Sequence, residues 1–150
     1  MNLLQTVAQI MTTDLKTVRP SDSLMVVRDM FRNYSIHHIP VVSYDKIIGI
    51  ISKEDYLNFQ FGCIGDKHLE AKGDFRLVEW QAKHIMTTKL AKLESTDTIR
   101  TALEVFKLNR IHALPIVDGD ELVGIITPHD IIKTLAEQPI ALTDYATANV

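Results

Sequence analysis

Two short stretches hold the residues best suited to chemistry. Ser52-x-x-Asp55 and Thr127-x-x-Asp130 each set a hydroxyl three residues ahead of a carboxylate. That spacing opens a helix as a capping box, in which hydroxyl and carboxylate satisfy backbone N–H groups reciprocally. A helix start also carries unpaired N–H donors and partial positive charge, so the same residues suit a bound anion. Cap and ligand contact are compatible readings, and both stand at this point. His37 and His112 each lie just ahead of a β-prone run, and His38 follows the first of them where Ala113 follows the second. A histidine at a strand start serves as a hydrogen-bonded structural residue or as a ligand contact. Catalytic constellations are missing by contrast. Cys63 sits in a glycine-rich stretch with no histidine held near it by spacing. The histidines at 37, 38, 68, 84, 112 and 129 form no i, i+4 pair on one helix, and no phosphate-loop glycine pattern occurs. The expectation is a binding protein with no catalytic residues and no bound metal, the alternative being a metal or redox sensor built on Cys63 and His68.

These residues recur at a fixed distance. Ile36 to Val42 returns as Ile111 to Val117, and Ile47 to Asp55 returns as Leu122 to Asp130, shifted by 75 positions without a gap (112 − 37, 130 − 55). Ile10-Met11-Thr12-Thr13 returns as Ile85-Met86-Thr87-Thr88, and Phe31 as Phe106. A long fixed period means two supersecondary units built alike. Their expected extents are 1–60 and 80–137, with a linker at 61–79 and a tail at 138–150.

Composition bounds the class. With 46% apolar and 23% charged residues, the 150-residue chain is an ordinary globular protein, and its net charge of −3 offers no general attraction for nucleic acid or an anionic membrane. No apolar run approaches the roughly 20 residues of a spanning helix, and the N-terminus lacks the basic start of a signal peptide. A single cysteine excludes an intrachain disulfide and fits a reducing compartment, so a cytoplasmic location is expected.

The elements that must position these residues follow from periodicity. Leu3, Leu4, Val7 and Ile10 have helical spacing and predict a lead-in helix over 3–10; 78–85, with Trp80, predicts the second. Lys16-Thr17-Val18 is a brief strand. Ser21-Asp22-Ser23 supplies capping chemistry for a helix over 24–34, whose apolar face is Leu24, Val27, Met30, Phe31 and Tyr34. Two β-branched runs, 39–42 and 47–51, are joined at hairpin spacing and predict strands covered on both faces. Ser52 then opens a helix over 53–59. The second unit repeats the order: a piece at 91–93, a helix from 97 or 98 to 108, strands 114–117 and 122–126, and a helix over 128–136 with Pro128 at its first position. A unit of about 60 residues is marginal alone. Two such units stabilise each other by pairing their sheets about a pseudo-twofold axis, which predicts two symmetric clefts between them.

The order of elements, the "I-M-T" lead-in, the "h-H-x-h-P-V-V" run and the "G-I-I-S/T-x-x-D" run resemble the cystathionine-β-synthase (CBS) domain, and two in tandem resemble a Bateman module. The resemblance implies an α/β (α+β) fold of two β-α-β-β-α repeats and a regulatory role without catalysis. It implies an adenine nucleotide (AMP, ADP or ATP) or S-adenosylmethionine as ligand, no covalent cofactor, a homodimer, and a regulated protein acting in trans. It also implies site residues. Asp55 and Asp130 would hold the ribose diol, a carboxylate being able to accept from both vicinal hydroxyls, with Ser52 and Thr127 beside them. His37, His38 and His112 would meet the phosphate, joined by Lys16 in one pocket and Arg110 in the other. The backbone near Val18 would meet the adenine edge, and Thr13 and Thr88 would donate hydroxyls. The scarcity of arginine and the net charge of −3 favour AMP over ATP. The alternatives are a ligand-free dimerisation module and a metal sensor.

Overall fold

A computed structural model describes residues 1–61, 73–109 and 111–138. Helices α1 (Leu24–Asn33), α2 (Lys53–Phe61), α3 (Gly73–Glu79), α4 (Ile99–Asn109) and α5 (Pro128–Ala136) accompany strands β1 (His38–Ser43), β2 (Lys46–Ser52), β3 (Leu93–Glu94), β4 (Leu114–Asp118) and β5 (Glu121–Ile126). The expected mixed α/β class with two like repeats is what forms. Both hairpins carry a bulge at equivalent places, between Val41 and Val42 and between Ile116 and Val117. The piece expected over Lys16–Val18 reduces to one parallel bridge, from Val18 to Val41.

The five strands lie in one sheet ordered β1-β2-β5-β4-β3. The repeats therefore join edge to edge. The joint is narrow: Lys46 pairs with Glu121, the Leu122 N–H donates to the Asp45 carbonyl at 3.0 Å, and Lys46 Nζ lies 3.3 Å from Asp120. Tyr44 and Asp45 form the first hairpin turn, both at positive φ (50° and 64°), as a two-residue turn of primed type requires. Gly119, at φ 65°, does the same work in the second without a Cβ penalty. Coverage of the strands differs from expectation. β1 and β4 are buried through Ile39–Val41 and Leu114–Val117, whereas β2 alternates buried Ile47, Gly49 and Ile51 with half-buried Ile48 and Ile50.

The lead-ins depart most from the predicted helices. The first is helical only over Val7–Gln9, as a single 3-10 turn; in the second, α3 stops at Glu79 and a separate 3-10 turn covers Ala82–His84. The reason is where their backbones bond. Ile99 and Arg100, opening α4, donate to the carbonyls of Gln5 (2.9 Å) and Leu3 (3.0 Å), and the Val7 N–H donates to Asp97 (2.8 Å). Leu24, opening α1, donates to the Trp80 carbonyl at 2.9 Å, and the Ala82 N–H donates to Asp22 at 2.8 Å. Each lead-in thus satisfies helix-start N–H groups of the other repeat, and groups so committed cannot close their own i→i−4 ladder. Ser23 makes no side-chain cap, and the Val26 N–H donates to the Ser23 carbonyl at 3.0 Å.

The cores cross over in the same way. Val18, Leu24, Val27, Phe31, Ile39, Val41, Ile51 and Tyr56 of repeat 1 pack with Leu77 and Ala82. Leu93, Ile99, Ala102, Leu114, Ile116, Ile126 and Ile131 of repeat 2 pack with Val7. Thr12 pairs with Ile125 and Thr87 with Ile50, which lays Met11 over Gly124 and Met86 over Gly49. A Cβ at either glycine would collide with the methionine Sδ.

Candidate functional site

Hairpin geometry brings the histidines and the capping residues together. His38 pairs with Ser52 across β1 and β2, and the His37 carbonyl accepts the Lys53 N–H at 2.8 Å, so the start of β1 sits beside the start of α2. In repeat 2, Leu114 pairs with Ile126 and places His112 beside the start of α5. The pseudo-twofold then sets both assemblies around one cleft of about 490 Å³, lined by His37, His38, Ser52, Lys53 and Glu54 from repeat 1 and by His112, Thr127, Pro128 and His129 from repeat 2. His37, Ser52, Lys53 and Glu54 stand 75 positions before His112, Thr127, Pro128 and His129. Described residues of both repeats thus line this cleft together. The residues meet there because each repeat's strand start and helix start turn toward the axis.

The carboxylates stand just behind this lining. Asp55 Oδ2 accepts the Ser52 N–H at 2.8 Å and the Ser52 hydroxyl at 2.7 Å, while Ser52 Oγ accepts the Asp55 N–H at 3.0 Å. Asp130 Oδ2 accepts the Thr127 N–H at 2.7 Å and the Thr127 hydroxyl at 2.6 Å, completing the second capping box. The capping reading is therefore realised at both positions. One contact distinguishes the two: the Thr12 hydroxyl, from the lead-in of repeat 1, donates to Asp130 Oδ1 of repeat 2 at 3.3 Å.

The cleft is electrostatically shared. Burial, first, and then the nearby His37 and His112 hold the His38 imidazole below its usual pKa of 6.5, with Asp55 acting in the opposite sense. His38 is accordingly neutral at pH 7, able to donate from one ring nitrogen and accept at the other. Since His112 belongs to the other repeat, charge at one end of the cleft acts on groups at the other.

The remaining predicted residues lie elsewhere. Lys16 Nζ is 2.9 Å from Asp14 and 5.2 Å from the centre of the Tyr34 ring, and that hydrogen bond with Asp14 raises its pKa. The Val18 side chain is 2% exposed in the core of repeat 1, while its backbone bonds to Pro40 and Val42. Thr13 and Thr88 are exposed and outside the cleft lining. Arg110, Cys63 and His68 lie outside the described residues. Among the described residues no group of three or more His, Cys, Asp or Glu could hold a metal ion, and no helix is long and apolar enough to cross a membrane. A second cavity of about 450 Å³, at the β1–β2 turn beside Arg19, Ser21 and Tyr44, contains none of the predicted residues. Lys53, Glu54, Pro128 and His129 were not anticipated as lining. Their signal was their place directly after the hydroxyl of each capping box, at the first turn of a helix facing the axis.

The family model of the CBS domain matches the chain twice, over residues 7–62 and 82–137, in the positions of the two repeats. The chain belongs to the CBS-domain family, as a tandem pair. Pairs of this kind are regulatory ligand-sensing modules. Inosine-5'-monophosphate dehydrogenase of Methanocaldococcus jannaschii is 32% identical over 127 residues, 83% of this chain and 22% of the enzyme. The chain spans less than half the length of the curated relatives it matches, 22% to 45%. Among solved structures, a putative acetoin utilization protein (AcuB) from Vibrio cholerae superposes with TM-score 0.77 at 24% identity, covering 90% of this chain and 94% of that one. CBSX2 in complex with AMP superposes with TM-score 0.72 at 21% identity, covering 88% and 96%. These two likenesses establish the fold alone.

Proposed function

We propose that this chain is a regulatory module that binds an adenosine nucleotide, AMP in preference to ADP or ATP, in the cleft between its repeats. The observation that carries the reading is the convergence of His37, His38, His112, Ser52 and Thr127, from both repeats, on one cleft of about 490 Å³. That volume falls in the usual range for a small-molecule pocket. The starts of α2 and α5 line it, and their N–H groups and partial positive charge suit a phosphate. The ribose would bond to Asp55 or Asp130, whose carboxylates stand directly behind that lining. A fold of the same kind, CBSX2, was solved in complex with AMP, which supports an adenosine ligand here. Few cations line the cleft, which supports AMP over the more highly charged nucleotides.

Binding across both repeats would change the angle between them, since residues of each repeat line the cleft. A protein regulated in trans would read that change. A ligand moves such an equilibrium only by its differential affinity for the two shapes. Exposed Leu57 and Phe61 on α2, with Ile132 and Leu135 on α5, support a homodimer. A cytoplasmic setting accords with the nucleotide ligand.

The test is a thermal-shift series with AMP, ADP, ATP and S-adenosylmethionine on the whole chain, beside the variant His37→Gln. AMP at about 100 times its dissociation constant is expected to raise the melting temperature by a few degrees. The shift should be smaller in the variant. No response to any of the four ligands would contradict the reading.

A further inference from the structure

The far end of β1 holds a second difference between the repeats. The strand runs from His38, at the cleft, to Ser43, which lines the cavity of about 450 Å³ at the β1–β2 turn. A strand of that length spans about 17 Å, so the cavity is a separate place. In repeat 2 the corresponding place is tied together by its own residues. The Glu94 carboxylate accepts the Gly119 N–H at 3.2 Å, the Ser95 hydroxyl donates to Asp118, and the Ser95 N–H donates to the Val117 carbonyl at 3.0 Å. Repeat 1 has Arg19, Pro20, Ser43 and Tyr44 at the positions that Glu94, Ser95, Asp118 and Gly119 hold 75 places on. None of the three bonds can then be made. Pro20 has neither the hydroxyl nor the N–H of Ser95, and Arg19 brings only donors where Glu94 brings an acceptor.

The groups left over line one cavity. Among the described residues, the Arg19 guanidinium, the Ser21 and Ser43 hydroxyls, the Tyr44 N–H and the Asp45 carboxylate have no hydrogen-bond or ion-pair partner. Arg19 and Asp45 thus carry opposite charges in the same cavity without pairing. We propose that this cavity binds a small molecule bearing a carboxylate and an ammonium group, the class of free α-amino acids. The ligand's carboxylate supplies to repeat 1 the acceptor that Glu94 supplies to repeat 2. It accepts from the Tyr44 N–H as Glu94 does from that of Gly119, and from the planar fork of Arg19, which suits a carboxylate with two parallel bonds. Ser21 and Ser43 offer further donors, and the ammonium group pairs with Asp45. The formal charges of Arg19 and Asp45 cancel, so a zwitterion is matched at both ends, whereas a phosphate dianion would meet the Asp45 carboxylate. The volume falls in the usual range for a small-molecule pocket. The same turn carries the Asp45 carbonyl that accepts the Leu122 N–H across the joint of the repeats, so a ligand there fastens the turn beside that joint.

Amide NMR of the whole chain tests this, titrated separately with each proteinogenic L-amino acid and with acetate and methylammonium as the two halves alone. At least one amino acid should shift the Tyr44 and Asp45 resonances along a saturable curve. Acetate and methylammonium should each bind at least roughly tenfold more weakly, having lost one charge-assisted contact. Arg19→Glu gives repeat 1 the acceptor of repeat 2; it should move the Tyr44 resonance without ligand and lower affinity by roughly tenfold or more. Asp45→Asn keeps a residue that tolerates the positive φ of 64° and should cost roughly tenfold. Arg19 and Asp45 are exposed, so both variants should melt close to the wild type. No saturable shift with any amino acid, or wild-type affinity in Arg19→Glu, would overturn the proposal. Acetate bound as tightly as the best amino acid would overturn the class. The nucleotide reading stands or falls separately, by the AMP response of the cleft.

Discussion

Set side by side, repeat 1 and repeat 2 agree where the scaffold is built and differ where the cleft is lined. Ile39 and Leu114 are equivalent and fully buried; the bulges fall at the same places; Gly49 and Gly124 each receive a methionine from the other repeat's lead-in. At the axis His37 and His112 match, but Lys53 is replaced by Pro128 and Glu54 by His129, and the counterpart of His38 is Ala113, outside the lining. Packing constrains shape, and equivalent core positions face equivalent cavities, so apolar residues of similar volume stay interchangeable. Positions facing a ligand carry no such constraint. A symmetric frame can therefore hold an asymmetric site.

That comparison breaks first in the core. Ile39→Ala and Leu114→Ala should each cost about 2–5 kcal/mol, and by similar amounts, in chemical denaturation. A markedly smaller loss in one would mean the repeats are unequal partners in stability. The glycine contacts come next. Gly49→Ala and Gly124→Ala should each cost about 1–3 kcal/mol by overpacking against Met86 and Met11. Melting that leaves either variant unaffected would show that the lead-in moves aside freely.

The capping boxes sharpen the comparison at lower energy. Asp55→Ala and Asp130→Ala should each cost about 1 kcal/mol. Asp130 should cost a few tenths more, because only it also receives the Thr12 hydroxyl. Thr12→Val should remove that excess, and a double-mutant cycle measures it. The smallest effect is on pH. The folded-state pKa of His38 lies below 6.5, so as the pH falls through 6.5 the unfolded chain takes up a proton before the folded chain does. The resulting contribution to stability is complete above pH 6.5 and is lost as the pH falls toward the folded pKa. Melting curves from pH 7.5 to 5.5 should fall more steeply for wild type than for His38→Gln. Parallel curves would show that neither burial nor His37 and His112 lowers the His38 pKa.

Most of this fold was legible because it is local. The shift of 75 positions, the β-branched hairpin runs and the S/T-x-x-D spacing are patterns within a few residues, and they became two like repeats, β1–β2, β4–β5 and two capping boxes. The first lead-in was misread as a full helix because Leu3, Leu4, Val7 and Ile10 carry helical spacing, while its backbone partners Asp97, Ile99 and Arg100 lie 90 to 97 positions away (97 − 7, 100 − 3). Val18 illustrates a second limit. A strand residue's face is decided by pairing, and its bridge to Val41 places that side chain in the core. Lys53 and His129 illustrate a third: both lie within the capping-box runs, but each belongs to the cleft because the axis brings α2 and α5 together, which no local pattern reports.

The central claim is that both repeats build one site, and histidine ring resonances measured by NMR during titration with AMP test it most directly. His37, His38 and His112 should shift together along one binding curve with one dissociation constant. Movement confined to the histidines of one repeat, or two separate curves, would contradict a shared cleft.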